Sequence, residues 1–368
     1  MRIAMVSPYA LSSVGGVQGQ VTGLARALRA RGHHVTVVAP ASGGDTVPAD
    51  VGDHFVIGRP RGLRSNGSVA PVAPWPTAAA RAGRFVRRGG FDIAHLHEPL
   101  APMAGYGLVL RAPLPMVGTY HRSGVSRWVR PLHFLTKLVG QRMQIRVAVS
   151  EAARETGLRE GGGAFEVLFN GVEMERFESA LPDRDPEGRP IVLFLGRHEP
   201  RKGLEVLLDA VALLERPAVL WVAGGDPGVE VQRRCRLPSD QVRWLGQISD
   251  DEKASRLAGA DVLCAPSLYG ESFGVVVLEG MAAGCAVVAS DIEGYRAAAG
   301  GHAALVPPGD PGALARALEA VLAETVAGSS TAARKEATEY ARAWSMDTLA
   351  GRYLELYGQA IDAFGGRR

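Results

Sequence analysis

The stretch VLCAPSLYGESFGVVVLEGMAAGCAVVAS, residues 262–290, reads as strand, loop, helix and strand in succession. Val262–Cys264 and Ala286–Ala289 are short apolar runs of the kind that fill a buried strand, and Pro266 and Gly284 punctuate them. A helix between two such strands forces a crossover, so the strands pair in parallel. The same alternation extends back through Val242–Leu245, Val219–Ala223 and Ile191–Leu195. A separate series opens the chain: Arg2–Pro8, then Val17, Val21, Leu24 and Leu28 at helical spacing, closed by Arg26, Arg29 and Arg31 where cations suit a helix end. His34–Val38, Ile93–Leu96, Met116–Gly118 and Val147–Val149 continue it. The fold class is therefore α/β, with two Rossmann-like parallel-sheet domains. Residues 1–170 form the first and 171–345 the second, with a Pro-, Asp- and Gly-rich boundary at 170–190. At 368 residues each can bury a core of its own. The helical, aromatic segment Tyr340–Phe364 is expected to cross back onto the first domain, which assigns residues 346–368 there.

The quoted stretch also carries chemistry. Ser272 is expected to cap the helix and Gly274 to let a ligand approach its first turn. A helix start offers unpaired N–H groups and a positive dipole end, which suits a diphosphate. Glu271 and Glu279 cannot attract that anion; they are better used as acceptors for hydroxyls of a sugar and a ribose. Two solvated glutamates are the plain alternative. That alternative leaves Gly270, Gly274, Gly280 and Gly284 unexplained, since a helix-interior glycine costs about 0.5–1 kcal/mol against alanine. The glycines predict close approach of backbone or ligand. A glycosidase would need its two carboxylates within about 5–9.5 Å. Eight residues of helix rise about 12 Å, which disfavours hydrolysis by this pair.

Upstream, Phe194-Leu195-Gly196-Arg197-His198-Glu199-Pro200-Arg201-Lys202-Gly203 places Arg197 and Lys202 just past a strand's carboxyl end, where α/β sheets bind ligands. Arginine grips a diphosphate with two parallel bonds and lysine adds a mobile point charge. Alone the loop could be two solvated cations; beside the Glu271–Glu279 stretch the ligand reading is preferred. Gly15-Gly16 is not a dinucleotide fingerprint: Gly-x-Gly-x-x-Gly is absent and no acid follows Val37-Val38-Ala39-Pro40.

Net charge is +3, but residues 1–170 carry +11 and the remainder −8. The asymmetry points to an anionic partner for the first half. Arg122, Arg127, Arg130, Lys137, Arg142 and Arg146 are interleaved with Trp128, Leu132, Phe134, Leu135 and Leu138, as on a helix lying on an anionic membrane. A solvated face would have the same composition; no nucleic-acid-binding signature accompanies it. Cys235, Cys264 and Cys285 lack metal or disulfide spacing and are expected as apolar filler. No apolar run reaches membrane-spanning length, and the start reads as a strand rather than a leader, so a cytoplasmic location is expected.

As a set, Gly15-Gly16-Val17-Gln18, His95-Leu96-His97-Glu98-Pro99, Asn170-Gly171-Val172, Gly196-Arg197 with Lys202-Gly203, Gly246-Gln247 with Lys253, and Glu271-Ser272-Phe273-Gly274 with Glu279 resemble glycosyltransferase family 4, retaining enzymes of the GT-B fold. Within it, Pro8-Tyr9, Arg29-Ala30-Arg31-Gly32-His33 and Asn66-Gly67-Ser68 are similar to the phosphatidyl-myo-inositol mannosyltransferases. The resemblance implies two domains facing a cleft and transfer of mannose from GDP-mannose to the inositol of a membrane lipid at the inner membrane face, with no metal cofactor. It further implies that Gly16 lies against the donor diphosphate and that Arg197 and Lys202 hold the phosphates. Glu271 would accept from the donor sugar and Glu279 from the ribose, with Ser272, Phe273 and Gly274 lining the donor and Lys253 near the nucleotide. His121 would meet the transferred sugar, and Tyr9, Gln18 and Asn66, with His121, would face the inositol. Ser12, Leu100 and Arg122 depart from the subgroup's pattern, all in the acceptor half. A different lipid or a soluble acceptor such as an inositol phosphate is the runner-up, and a non-catalytic sugar-nucleotide binder the third reading. His95 and His97 could equally be satisfied core residues.

Overall fold

The computed structural model describes residues 1–12, 15–42, 49–65, 68–101, 104–122, 124, 133–226 and 228–366. The chain divides into two units, Met1–Gly171 with Met346–Arg368, and Val172–Ser345.

The first unit contains β1 (Arg2–Val6), α1 (Gly16–Ala30), β2 (His34–Ala39), β3 (Asp53–Val56), the hairpin β4 (Arg61–Ser65) and β5 (Ser68–Val72), and α2 (Pro76–Arg88). Then come β6 (Ile93–His97), α3 (Ala104–Arg111), β7 (Met116–Tyr120), α4 (His133–Arg142), β8 (Ile145–Ala148), α5 (Glu151–Glu160) and β9 (Glu166–Val167). Seven strands pair in parallel in the order β3-β2-β1-β6-β7-β8-β9. The central strands are buried on both faces, which is why they are largely apolar, although β6 and β7 also bury His95, His97 and Thr119. Alternation along β1 splits two cores. Ile3 and Met5 join Val35, Val37 and Leu24 on one face; Ala4 and Val6 join Val38, Ala94 and Leu96 on the other.

The second unit contains α6 (Met174–Glu178), β10 (Ile191–Leu195), α7 (Leu204–Val211), β11 (Val219–Ala223), α8 (Gly228–Arg234), β12 (Val242–Gly246), α9 (Asp250–Gly259) and β13 (Val262–Ala265). It continues with α10 (Val275–Ala282), β14 (Ala286–Ser290), α11 (Glu293–Ala299), β15 (Ala304–Val306), α12 (Pro311–Val326) and α13 (Thr331–Arg342). Its six strands, also parallel, run β12-β11-β10-β13-β14-β15. Cys264 and Cys285 are buried in it.

The last helix, α14 (Met346–Gly365), belongs to the first unit. It presents Met346, Leu349, Tyr353, Leu356, Tyr357 and Ala360 to the core that α1 shares. Arg31 fixes its start with a two-pronged bond to Asp347, 2.8 and 2.9 Å. The expected single helical run from Tyr340 is instead two helices. Residues 343–345 interrupt it, because Ser345 bridges Val172, whose N–H bonds Trp344 O at 2.8 Å.

One local expectation needs correction. Ser272 does not cap a helix: α10 begins at Val275, and Gly274, at φ 82°, is the residue before it. A Cβ there would stand 2.4 Å from the Tyr295 ring. The expected close approach is met by protein at Gly274 and at Gly280. Gly280 makes room for Leu263, and Gly270 and Gly284 both hold positive φ.

Candidate functional site

Each sheet reverses its strand order once, between β1 and β6 in the first unit and between β10 and β13 in the second. Ligands of doubly wound sheets bind outside the carboxyl ends at such reversals. Most of the described sequence-derived candidates fall there.

In the second unit the loop after β10 turns through Pro200–Lys202 and closes at Gly203, φ 72°. A Cβ on Gly203 would lie 2.0 Å from Pro266 O, so only glycine lets this turn seat on the loop after β13. Arg201 O accepts the N–H of Leu268 at 2.7 Å and locks the two loops together. The result is a chain of alternating charge. Lys202 Nζ bonds Glu271 Oε1 at 2.7 Å and Arg201 bonds the same oxygen at 2.8 Å. Ser267 Oγ donates to it at 3.2 Å and meets Tyr295 OH at 2.7 Å. Arg201 also reaches Glu199 at 2.9 Å, and Glu199 meets Arg197 at 3.1 Å. Arg197 is half exposed. Burial pulls the Lys202 ammonium below its ordinary pKa, and Glu271 offsets this only in part. Glu279 holds Lys253 at 2.7 Å, with Asp250 at 3.2 Å on the same ammonium. Burial opposes the Lys253 charge, but the two carboxylates outweigh it and raise its pKa. Three cations against two carboxylates in the first chain leave positive charge for an anion.

Glu271 is therefore engaged by cations here, a role the sequence did not suggest, and Arg201 is a member of the cluster that the motif reading passed over. Phe273 is turned inward, almost fully buried with its ring centroid 5.6 Å from that of Trp344, so its side chain anchors the loop. Gly294 has the same kind of role as Gly203, since a Cβ on it would lie 2.3 Å from Glu271 O.

In the first unit, Gly15 precedes α1 in extended conformation with no side-chain cap and no acid in the first turn. A Cβ on Gly16 would meet nothing within 4 Å, whereas Gln18 folds over Gly15. The Tyr9 N–H bonds Ser7 Oγ at 3.1 Å, and burial raises its phenol pKa. Asn66 lies outside the described residues, as do Arg127, Trp128 and Arg130 of the basic segment.

The ends of β6 and β7 carry a buried histidine cluster. His121 Nε2 meets His97 Nδ1 at 2.9 Å, and Asn170 hydrogen-bonds the His121 ring. His97 stacks on His95, centroids 4.3 Å apart. His95 bonds Tyr357 OH and Thr119 Oγ1, both at 2.7 Å, and Thr119 bonds Tyr353 OH at 2.8 Å. Burial lowers the pKa of His95 to about 3 and of His121 to about 4, and holds His97 well below the usual range. All three are neutral imidazoles at neutral pH. His95 is a satisfied core residue; His97 is the one that touches His121. Glu98, unassigned by the sequence, accepts the His121 backbone N–H at 2.5 Å. Its only signal was its place inside the His-Leu-His-Glu-Pro string.

Two parallel-sheet units of this design define the GT-B class of glycosyltransferases. Sucrose-phosphate synthase from Thermosynechococcus elongatus has this fold: TM-score 0.77 at 23% identity, over 98% of this chain and 99% of that one. The pattern described as Glycosyltransferase Family 4 matches residues 14–176, and that described as Glycosyl transferases group 1 matches 189–324. The chain is 38% identical to the phosphatidyl-myo-inositol mannosyltransferase of Mycobacterium tuberculosis, over 97% of its own length and 96% of the relative's. It is 28% identical to the D-inositol 3-phosphate glycosyltransferase of Salinispora arenicola, over 95% and 88%. The chain belongs to glycosyltransferase family 4. Among the described residues no helix is long and apolar enough to cross a membrane.

Proposed function

We propose that this enzyme transfers mannose from GDP-mannose to the inositol of phosphatidylinositol, with retention of configuration, at the cytoplasmic membrane face. The observation that carries the reading is 38% identity along nearly the whole chain to enzymes named for that acceptor, in a chain that keeps the donor-side charges. In this reading Arg197, Arg201 and Lys202 bind the diphosphate and stabilise it as it leaves, supplying positive charge without a metal ion. Arrival of the phosphates gives Lys202 a second anionic neighbour and frees Glu271 to accept from sugar hydroxyls, while Glu279 accepts from the ribose. His121, neutral, meets the transferred sugar. Tyr9, Gln18 and Asn66 face the inositol, and the departing phosphate helps remove the acceptor proton as the oxocarbenium-like sugar is captured from the same face. The basic residues of 122–146 draw the enzyme to anionic lipid.

Thermal-shift measurements with GDP-, UDP- and ADP-sugars test the donor, because only a ligand that favours the folded form raises the melting point. GDP-mannose is expected to give the largest shift; a larger shift with a UDP-sugar overturns the choice of base. A soluble inositol phosphate acceptor is the second reading, favoured by the 28% identical relative named for that acceptor and by the cation Arg122 after His121. Turnover indifferent to added phosphatidylinositol vesicles supports it instead.

A further inference from the structure

Among the described residues, Glu98 is the one non-glycine with positive φ, 47°. Its side chain is almost fully buried, 4% exposed. A left-handed backbone at such a residue is strained, and a buried carboxylate adds a desolvation penalty. Both costs fall on the residue that follows β6, and both have the same consequence. The left-handed turn aims the carboxylate across to the end of β7, where it accepts the backbone N–H of His121 at 2.5 Å and that of Arg122 beside it. The Glu98 N–H reaches back to Thr119 O at 2.7 Å, so the residue clips the strand and the turn beyond it.

We propose that Glu98 is a positioning residue: it fixes the His121–Arg122 backbone so that the imidazole, already held by His97 and Asn170, meets the transferred sugar in one orientation. This rests on the reading above for what His121 touches, but the placement of His121 can be read without any substrate. Glycine adopts the left-handed backbone freely, so Glu98→Gly removes the carboxylate and keeps the turn. Glu98→Gln keeps an acceptor oxygen in the same place.

In nuclear magnetic resonance spectra of histidine-labelled protein, the His121 ring signals are expected to move in Glu98→Gly and to stay near wild type in Glu98→Gln. In mannose transfer from GDP-mannose to phosphatidylinositol vesicles, Glu98→Gly should lose about 10- to 100-fold in kcat with KM for the donor little changed. Glu98→Gln should recover most of that loss, and Glu98→Gly should add nothing to His121→Ala. Unmoved His121 signals, or equal losses from Glu98→Gly with and without His121, overturn the proposal. Moved signals in Glu98→Gly, with a wild-type protein that transfers no mannose, uphold the positioning and overturn the function assigned above. Should Glu98→Gly fail to fold, the Glu98→Gln spectrum alone decides: displaced His121 signals despite a retained acceptor go against it.

Discussion

His95, His97 and His121 make stability in the first unit sensitive to pH in a definite direction. Each is neutral in the fold, His95 down to about pH 3 and His121 to about pH 4, whereas an unfolded histidine takes its proton near pH 6.5. Below pH 6.5 the unfolded chain therefore binds more protons, and stability falls with pH by about 1.4 kcal/mol per unit for each histidine. Glu98 acts the other way, because burial raises its pKa in the fold, but it is one group against three. Urea unfolding should show a midpoint that drops steeply from pH 7 to pH 5; a flat profile would mean that the cluster is hydrated or charged. Lys202 yields a second prediction at this scale. Its ammonium carries part of the diphosphate charge in the proposed reaction, and Arg201 still neutralises Glu271 when it is gone. Lys202→Ala is expected to keep the melting temperature while turnover falls by about one to two orders of magnitude, as is typical when a transition-state charge partner is removed. Near-normal turnover would contradict the donor assignment.

Among the elements, the turn that closes at Gly203 governs the charges of the proposed donor site. Gly203→Ala puts a methyl group into Pro266 O and forces a side chain into φ 72°. The loop after β10 must then lift off the loop after β13, parting Lys202 from Glu271. We expect a loss of about 2 kcal/mol or more in stability and a fall in donor affinity larger than any fall in acceptor affinity. Isothermal titration with GDP-mannose measures the second, and unchanged donor binding would refute the argument. The sequence pointed to Lys202 and Glu271 as members of one donor site because strand ends followed by cations and acids are recognisable from local pattern; it did not pair them with each other. It could not show Gly203 against Pro266, or Gly274 against Tyr295, because those contacts join residues far apart in the chain. The same limit explains the elements missed. β3 is a half-exposed edge strand with a charged start, while β9 and β15 have two and three residues, too short for any period to register.

For the molecule as a whole, the decisive fact is that the last helix in the chain completes the first unit. Its helical, aromatic character and its return to the first domain were legible; that Tyr353 and Tyr357 reach Thr119 and His95 was not, since nothing local pairs a tyrosine with a strand some 230 or more residues away. Residues Met346, Leu349, Tyr353, Leu356, Tyr357 and Ala360 cover the face of the core that includes Leu24, Leu28 and Ile3. Burying each large apolar side chain contributes about 1.5–3 kcal/mol, so the helix as a set is comparable with the whole stability of a typical domain, about 5–15 kcal/mol. A chain ending at Ser345 should consequently lose the first unit and keep the second, whose core of Val192, Phe194, Leu207 and Leu220 contains no residue of α14. Limited proteolysis should then digest residues 1–171 rapidly and spare a fragment near 172–345. Tyr357→Phe separates packing from the polar link. It keeps the ring and removes only the partner of His95 Nδ1, so it should cost about 1–3 kcal/mol, the penalty of a buried group left unpaired. A truncated chain with a protease-resistant first unit would show that α14 is an accessory rather than part of that core.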